Sequence, residues 1–378
     1  MRRQNIKQVP LPQAMATCPT VFLLDGVYKI FIPFTCQALV KIRVGEIEYF
    51  DDSNGILRSG KPLHSVEIPQ KALDKAKAYT VCYRKIIKRK PYFPTSEEWV
   101  ELTFSFRPVP EQGPIRIYHI ADAHNMEAPV LRAGQYFGED LDLLILNGDV
   151  INHSGAIENF NTVYTIASAI TGGSRAVVFS RGNHDTRGYY AEEFCNYTPM
   201  STKGKPYFTF RAGPIWAIVL DCGEDKPDTS EEYGHTVCFH PYRLKETEFI
   251  RQVIEHAEEE YLAEGVEHRL LICHVPFAYI NKPPFDIEQE LYAEWCRLMR
   301  EDIRPELAIH GHTHRAEIWL PGGENDHLGQ ACPAVIGSKP EGYKQGEQHF
   351  TGCGIILDGH KTTVIFHDDQ GNVDIQEI

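Results

Sequence analysis

The chain has 378 residues, of which 42 % are apolar and 24 % charged, and its formal net charge is −14. This is longer than one typical domain and has the composition of a folded protein, so two domains with a substantial core are expected. The acidic balance argues against a broad surface for long nucleic acid, which needs clustered Lys and Arg, but not against a small phosphate ester met by bound cations.

The N-terminal stretch MRRQNIKQVPLPQ has no apolar run behind its basic residues, so it does not read as a secretory signal. No stretch approaches the roughly 18 apolar residues of a membrane span, and no membrane partner is expected. The ten cysteines form no CxxC pair. They read as buried free thiols in a reducing compartment, hence a cytoplasmic location.

Along residues 17–107 the runs VFLLDGVYKIFIPF, ALVKIRVGEIEYF, AYTVCYRKI and VELTFSFRP are rich in β-branched and aromatic residues. Turn signals such as DDSNG and RSGKP separate them. Short strands without a long helix predict an all-β sandwich of immunoglobulin or fibronectin type III kind over residues 1–107. The basic run RKIIKRK at 84–90 reads as a solvated strand end or hairpin. Pro108, Pro110, Gly113 and Pro114 mark a linker at 108–114.

From residue 115 to 378 the pattern is α/β. IRIYHIA, LDLLILNG, RAVVFSRG, PIWAIVLD, RLLICHV and ELAIHG read as buried strands. Helical periodicity marks AIENFNTVYTIASAI, YRLKETEFIRQVIEHAEEEYLAEG and IEQELYAEWCRLMRED. AEIWL, GCGIILDG and KTTVIFHD read as later strands that complete a second sheet. Two mixed sheets flanked by helices are the expected architecture.

Polar clusters stand at the strand ends. Asp122 and His124 follow IRIYHIA, Asp149 follows LDLLILNG, and Asn183, His184 and Asp185 follow RAVVFSRG. His274 follows RLLIC, and His312 and His314 follow ELAIHG. Ligand sites in open α/β sheets gather at the carboxyl ends of strands, so these clusters are expected to share one crevice. Asp122, His124, Asp149, Asn183, His274, His312 and His314 offer oxygen and imidazole donors without sulfur, a set suited to Mn, Fe or Zn. Seven side chains are too many for one ion. Two ions sharing a carboxylate would lower the pKa of a bridging water and clamp both oxygens of an in-line displacement at phosphorus.

In order, DAH at 122–124, GDVIN at 148–152, GNHD at 182–185, His274 in CHVP and GHTH at 311–314 resemble the motifs of the calcineurin-like metallophosphoesterases. The resemblance covers roughly residues 115–330. It implies two divalent ions, one on Asp122, His124 and His314, the other on Asn183, His274 and His312, with Asp149 bridging. It implies a substrate-contacting, proton-donating role for His184, whose imidazole Asp185 would hold by a hydrogen bond. Purple acid phosphatases are similar and also carry a leading sandwich, but they place a metal-bound Tyr three residues after the bridging Asp, where Asn152 stands here. A ferric purple centre therefore has no basis. LDCGEDKPD at 220–228 looks similar to a group of bacterial phosphoesterases with a fibronectin-like leading domain. Arg187, just past His184, is a candidate phosphate contact.

The expected activity is hydrolysis of a small soluble phosphorylated substrate by a dinuclear centre, with monoester, diester and pyrophosphate left open. The rival readings are a nuclease or protein phosphatase using the same centre, or a binding module that keeps the fold without catalysis. Self-association is left open.

Overall fold

Val40, Ile42 and Val44 are buried while Leu39, Lys41 and Arg43 between them are half-exposed, the period of two that gives a strand one buried face. That pattern recurs through the leading segment of the computed structural model, which describes residues 4–279 and 282–378; residues 1–3 of the expected leading domain lie outside it. The segment holds β1 (Thr20–Leu24), β2 (Val27–Pro33), β3 (Ala38–Val44), β4 (Ile47–Phe50), the hairpin β5 (Asp52–Ser53) and β6 (Ile56–Leu57), and β7 (Leu63–Pro69). After α1 (Gln70–Ala76) come β8 (Ala78–Lys88), β9 (Thr95–Ser96) and β10 (Val100–Ser105).

Strands and helices then alternate: β11 (Ile115–Ile120), α2 (Glu127–Gly134), β12 (Leu143–Asn147), α3 (Asn161–Thr171) and β13 (Ala176–Ser180). A second series follows, with β14 (Phe208–Ala212), β15 (Ile215–Leu220), α4 (Phe239–Glu255), β16 (His268–Cys273), α5 (Gln289–Leu298), β17 (Leu307–His310), β18 (Glu317–Trp319) and β19 (Ala334–Ile336). The chain closes on β20 (Lys339–Glu341), β21 (His349–Asp358), β22 (Lys361–Asp368) and β23 (Val373–Glu377). Among the described residues no helix is long and apolar enough to cross a membrane.

Two mixed sheets form the body. The larger runs β23-β22-β21-β11-β12-β13-β1-β2-β7, with β20 beside β21, and the smaller runs β14-β15-β16-β17-β19-β18. Ile215, Ala217, Val219, Leu270, Ile272 and Ile309 join the core shared with the larger sheet. Their neighbours Trp216, Ile218, Leu220, Leu271 and Cys273 turn outward to pack with Ile250, Val253 and Trp295 of α4 and α5. Each such Leu or Ile contributes roughly 1.5–3 kcal/mol on burial. GCGIILDG and KTTVIFHD, expected in the second sheet, extend the first one, because β21 pairs antiparallel with β11. The helix expected through residue 265 ends at Glu255. Beyond it Glu258, Glu259 and Glu260 would crowd the negative end of the helix dipole.

The leading segment differs from a detached domain in one respect. β1, β2 and β7 form one layer and β10-β8-β3-β4 the facing layer, with Phe34 against Tyr83 (5.1 Å between centroids) and Tyr28 against Phe106 (4.9 Å) between them. The first layer is continuous with the larger body sheet, since β1 pairs in parallel with β13 through Val21↔Ala176 and Phe22↔Val177. Phe22 also meets Phe179, and Phe31 stacks on Tyr164 of α3. Hydrophobic alternation makes a strand but does not name its partner. A chain beginning at Gly113 would expose the β13 edge and these aromatic faces. It is expected to aggregate or to lose its cooperative melting transition, as size exclusion and calorimetry would show.

Candidate metal centre

β11, β12 and β13 are parallel neighbours, as are β16 and β17, so their carboxyl ends open on one crevice. The backbone there is held in unusual shapes. Asp122, His124, Asn125, Asp149, His312 and His314 all have left-handed φ between 45° and 70°. Such conformations cost on the order of 1–3 kcal/mol each for ordinary residues and persist only where surroundings enforce them. Gly148 shows one reason for the tight turns. Its φ is +77° and a Cβ there would lie 2.6 Å from the His274 ring.

All seven expected ligands meet in the crevice. The donor atoms of Asp122, His124 and His314 lie within 4.8 Å of one another, as do those of Asp149, His274 and His312, and those of His124, Asp149 and His184. His124 Nε2 faces His314 Nε2 at 3.1 Å, and His314 Nε2 is 3.4 Å from Asp122 Oδ1. His274 Nε2 is 3.2 Å from Asp149 Oδ2 and 3.7 Å from Asp122 Oδ1. His274 Nδ1 donates to the Asn147 carbonyl at 2.7 Å, which turns Nε2 toward the carboxylates.

Charge in the crevice fits a cation. Burial opposes ionisation of Asp122 and Asp149, yet His274 holds both carboxyls below their usual range. Burial likewise opposes charge on His274, but Asp149 and then Asp122 raise its pKa to about 10. A positive charge therefore belongs in that gap, as a proton or as a metal ion. Burial pushes His124 down to about 4 and lowers His312, which leaves both as the neutral imidazoles that ligate metals. Asn183 gives the same answer. Its amide oxygen faces Asp149 Oδ2 at 3.2 Å and His312 Nδ1 at 3.0 Å, acceptors that a cation between them would satisfy. Rotating the amide would pair its nitrogen with those two atoms and its oxygen with Arg187 Nη2, the arrangement suited to a metal-free crevice.

Around the ligands the structure redistributes two expected roles. Asp185 does not hold the His184 ring. Its Oδ2 accepts from Gly182 N at 2.7 Å and Asp149 N at 3.2 Å, tying the GNHD turn to the GD turn. Burial and then the Asp149 charge push its pKa up to about 8. The His184 ring is held by a backbone group instead, the Asn152 carbonyl, 2.8 Å from Nδ1. Asn125 sets that loop by accepting from Asn152 N at 2.7 Å. Replacing Asp185 by Ala strands two buried N–H groups, each worth about 1–3 kcal/mol. A loss on the order of 2–5 kcal/mol is expected in denaturant unfolding, and Asp185→Asn should lose less.

Arg187, the expected phosphate contact, gives Nε and Nη2 to the buried Glu224 at 2.6 and 2.7 Å. Its Nη1 lies 3.5 Å from His184 Nε2 and 3.3 Å from Glu232. Nη1 faces the crevice, and Nη2, although bound to Glu224, also lies 3.0 Å from the Asn183 amide. Glu224 and Asp225, on the loop after β15, and Tyr343, stacked on His124 at 4.5 Å, were not singled out from sequence. The acidic loop could have signalled the first two; nothing marks Tyr343.

A crevice of two carboxylates, an amide and four imidazoles on paired mixed sheets is a donor set suited to holding metal ions. The sequence profile described as calcineurin-like phosphoesterase matches residues 115–316, more than half of the chain, which therefore belongs to that family of hydrolases acting on phosphoester bonds. Among solved structures, the purple acid phosphatase PPD1 from yellow lupin (Lupinus luteus) superposes with a TM-score of 0.64, over 97 % of this chain and 74 % of its own, at 14 % identity. The structure of PhoD does so with a TM-score of 0.56, over 99 % and 90 %, at 12 % identity. At these identities the likeness is one of fold alone. Comparison with curated protein sequences gave no match.

Proposed function

We propose that this chain hydrolyses a small soluble phosphate ester with two divalent ions, Mn, Fe or Zn. Asp122, His124 and His314 would hold one ion and Asn183, His274 and His312 the other, with Asp149 shared. The observation that supports sharing is the position of Asp149, whose donor lies within 4.8 Å of His274 and His312 and also of His124 and His184. Such ions supply Lewis acidity at phosphorus and a nucleophile of lowered pKa.

The remaining work falls to side chains. His184 donates Nδ1–H to Asn152, so its Nε2 is the face offered to a leaving-group oxygen, and a proton carried there is the one it gives up. Arg187 Nη1, beside that nitrogen, would take a phosphoryl oxygen. The leading sandwich shapes access or mediates self-association without entering the chemistry. The ten scattered cysteines support a reducing, cytoplasmic setting as part of the same proposal.

The test is elemental analysis of protein purified without chelator, coupled to a panel of phosphomonoesters, diesters, nucleotides, single-stranded DNA and a phosphopeptide. Two equivalents of metal are expected, with turnover of small esters that chelator abolishes and Mn or Zn restores. Turnover confined to DNA or phosphopeptide would favour the nuclease or protein phosphatase reading. Reconstituted protein that turns over nothing would make the chain a binding module.

A further inference from the structure

We infer that Asp225 is a positioning residue that fixes which ring nitrogen His312 presents to its ion; this rests on the two-ion reading above. His312 lies between two groups. Its Nδ1 is 3.0 Å from Asn183 Oδ1, and its Nε2 is 3.5 Å from Asp225 Oδ2. Asp225 is buried and falls outside the convergent group of Asp149, His274 and His312, so it stands behind His312 and not beside it as a ligand.

The two oxygens of Asp225 are divided. Oδ1 takes the Tyr233 hydroxyl at 3.2 Å, Lys226 Nζ at 3.3 Å and the edge of Arg187 Nη2 at 3.7 Å. Oδ2 is left facing His312. A neutral imidazole has one N–H, and an adjacent carboxylate draws it to the nearer nitrogen. With the proton on Nε2, the Nδ1 lone pair points at the gap shared with Asn183 and Asp149. His274 is fixed the opposite way, since the Asn147 carbonyl takes Nδ1 and leaves Nε2 facing inward. The two imidazoles of the second ion thus present different nitrogens, each set by the acceptor behind it.

The experiment is a Mn²⁺ titration of the full chain after metal removal, followed by equilibrium dialysis. Wild type should bind two equivalents in two resolved steps, and a plateau at one equivalent would overturn the two-ion reading itself. Asp225→Ala should weaken one step roughly 10–100-fold and leave the other within about twofold, the usual effect of losing a carboxylate behind a metal-bound histidine. Asp225→Asn keeps an acceptor and should retain most of the affinity. Tyr233→Phe removes a contact to Oδ1, leaves Oδ2 facing His312, and should change neither step. If Asp225→Ala binds like wild type, or if Tyr233→Phe weakens binding as much, the inference fails. An independent reading needs no variant. In ¹⁵N spectra of the histidine-labelled, Zn²⁺-loaded chain, His312 should be protonated at Nε2 and ligated through Nδ1, and the reverse pattern overturns the inference.

Discussion

Asp149→Ala should cost the protein both proposed metal ions and most of its turnover. The Asp149 carboxylate stands among residues assigned to both ions. Asp149 Oδ1 accepts from His184 N at 2.8 Å, while Oδ2 faces His274 Nε2 at 3.2 Å and the Asn183 amide oxygen at 3.2 Å. Removing the carboxylate takes a charged donor from each proposed ion and leaves His274 to balance Asp122 alone. It also frees the His184 amide, which fixes where the ring proposed as proton donor begins. Losing one preorganised electrostatic contact commonly costs about 10²–10³-fold in rate, and here two ions and an anchor are lost together, so a fall of at least roughly 10³-fold is expected. Elemental analysis beside turnover checks it. A variant that keeps two equivalents of metal, or loses one ion only, would remove Asp149 from the bridging position.

The crevice was legible in the sequence because each part of it sits directly after a strand whose buried run is unmistakable. Leu143–Asn147 and Ala176–Ser180 are buried at every position, so the polar residue that follows marks the strand end itself. What was not legible depended on partners distant in sequence. Nothing in TVFLL says that it will lie beside Ala176–Ser180, and nothing in GCGIILDG says that it will choose β11 over the second sheet. α2 escaped notice because eight residues with Pro129 inside show too little periodicity. A backbone carbonyl leaves no trace in residue type, so the Asn152 contact to His184 is invisible in sequence, where the adjacent Asp185 is the visible acceptor. The stretch LDCGEDKPD carries a resemblance in sequence, but the roles of Glu224 and Asp225 depend on Arg187 and His312, which the fold brings against them.

His184→Ala separates proton donation from metal binding. The ring lies with Nε2 4.0 Å from Asp149 Oδ2 and its centroid 4.7 Å from that of His124, close to the ligands without being among the seven proposed. Its Nδ1 is engaged by Asn152, and its Nε2 lies near His124 and Asp149, so metal content is the measurement that separates a proton donor from a ligand. Truncation removes no donor from either proposed ion, and metal content should stay at two equivalents. Turnover should fall by roughly 10²–10⁴-fold, the size of a general-acid contribution. The loss should depend on the leaving group. An alkoxide needs its proton in the transition state, whereas nitrophenolate leaves nearly unaided, so nitrophenyl esters should lose least. Backbone contacts of residue 184 survive the change, because the Asp149 bond is made by its amide and not by its ring. Rates for a series of esters with graded leaving-group pKa, measured on wild type and variant at matched metal content, give the answer as a difference in slope. Equal losses across the series would assign His184 to binding or to oxyanion stabilisation, and loss of metal would make it a ligand.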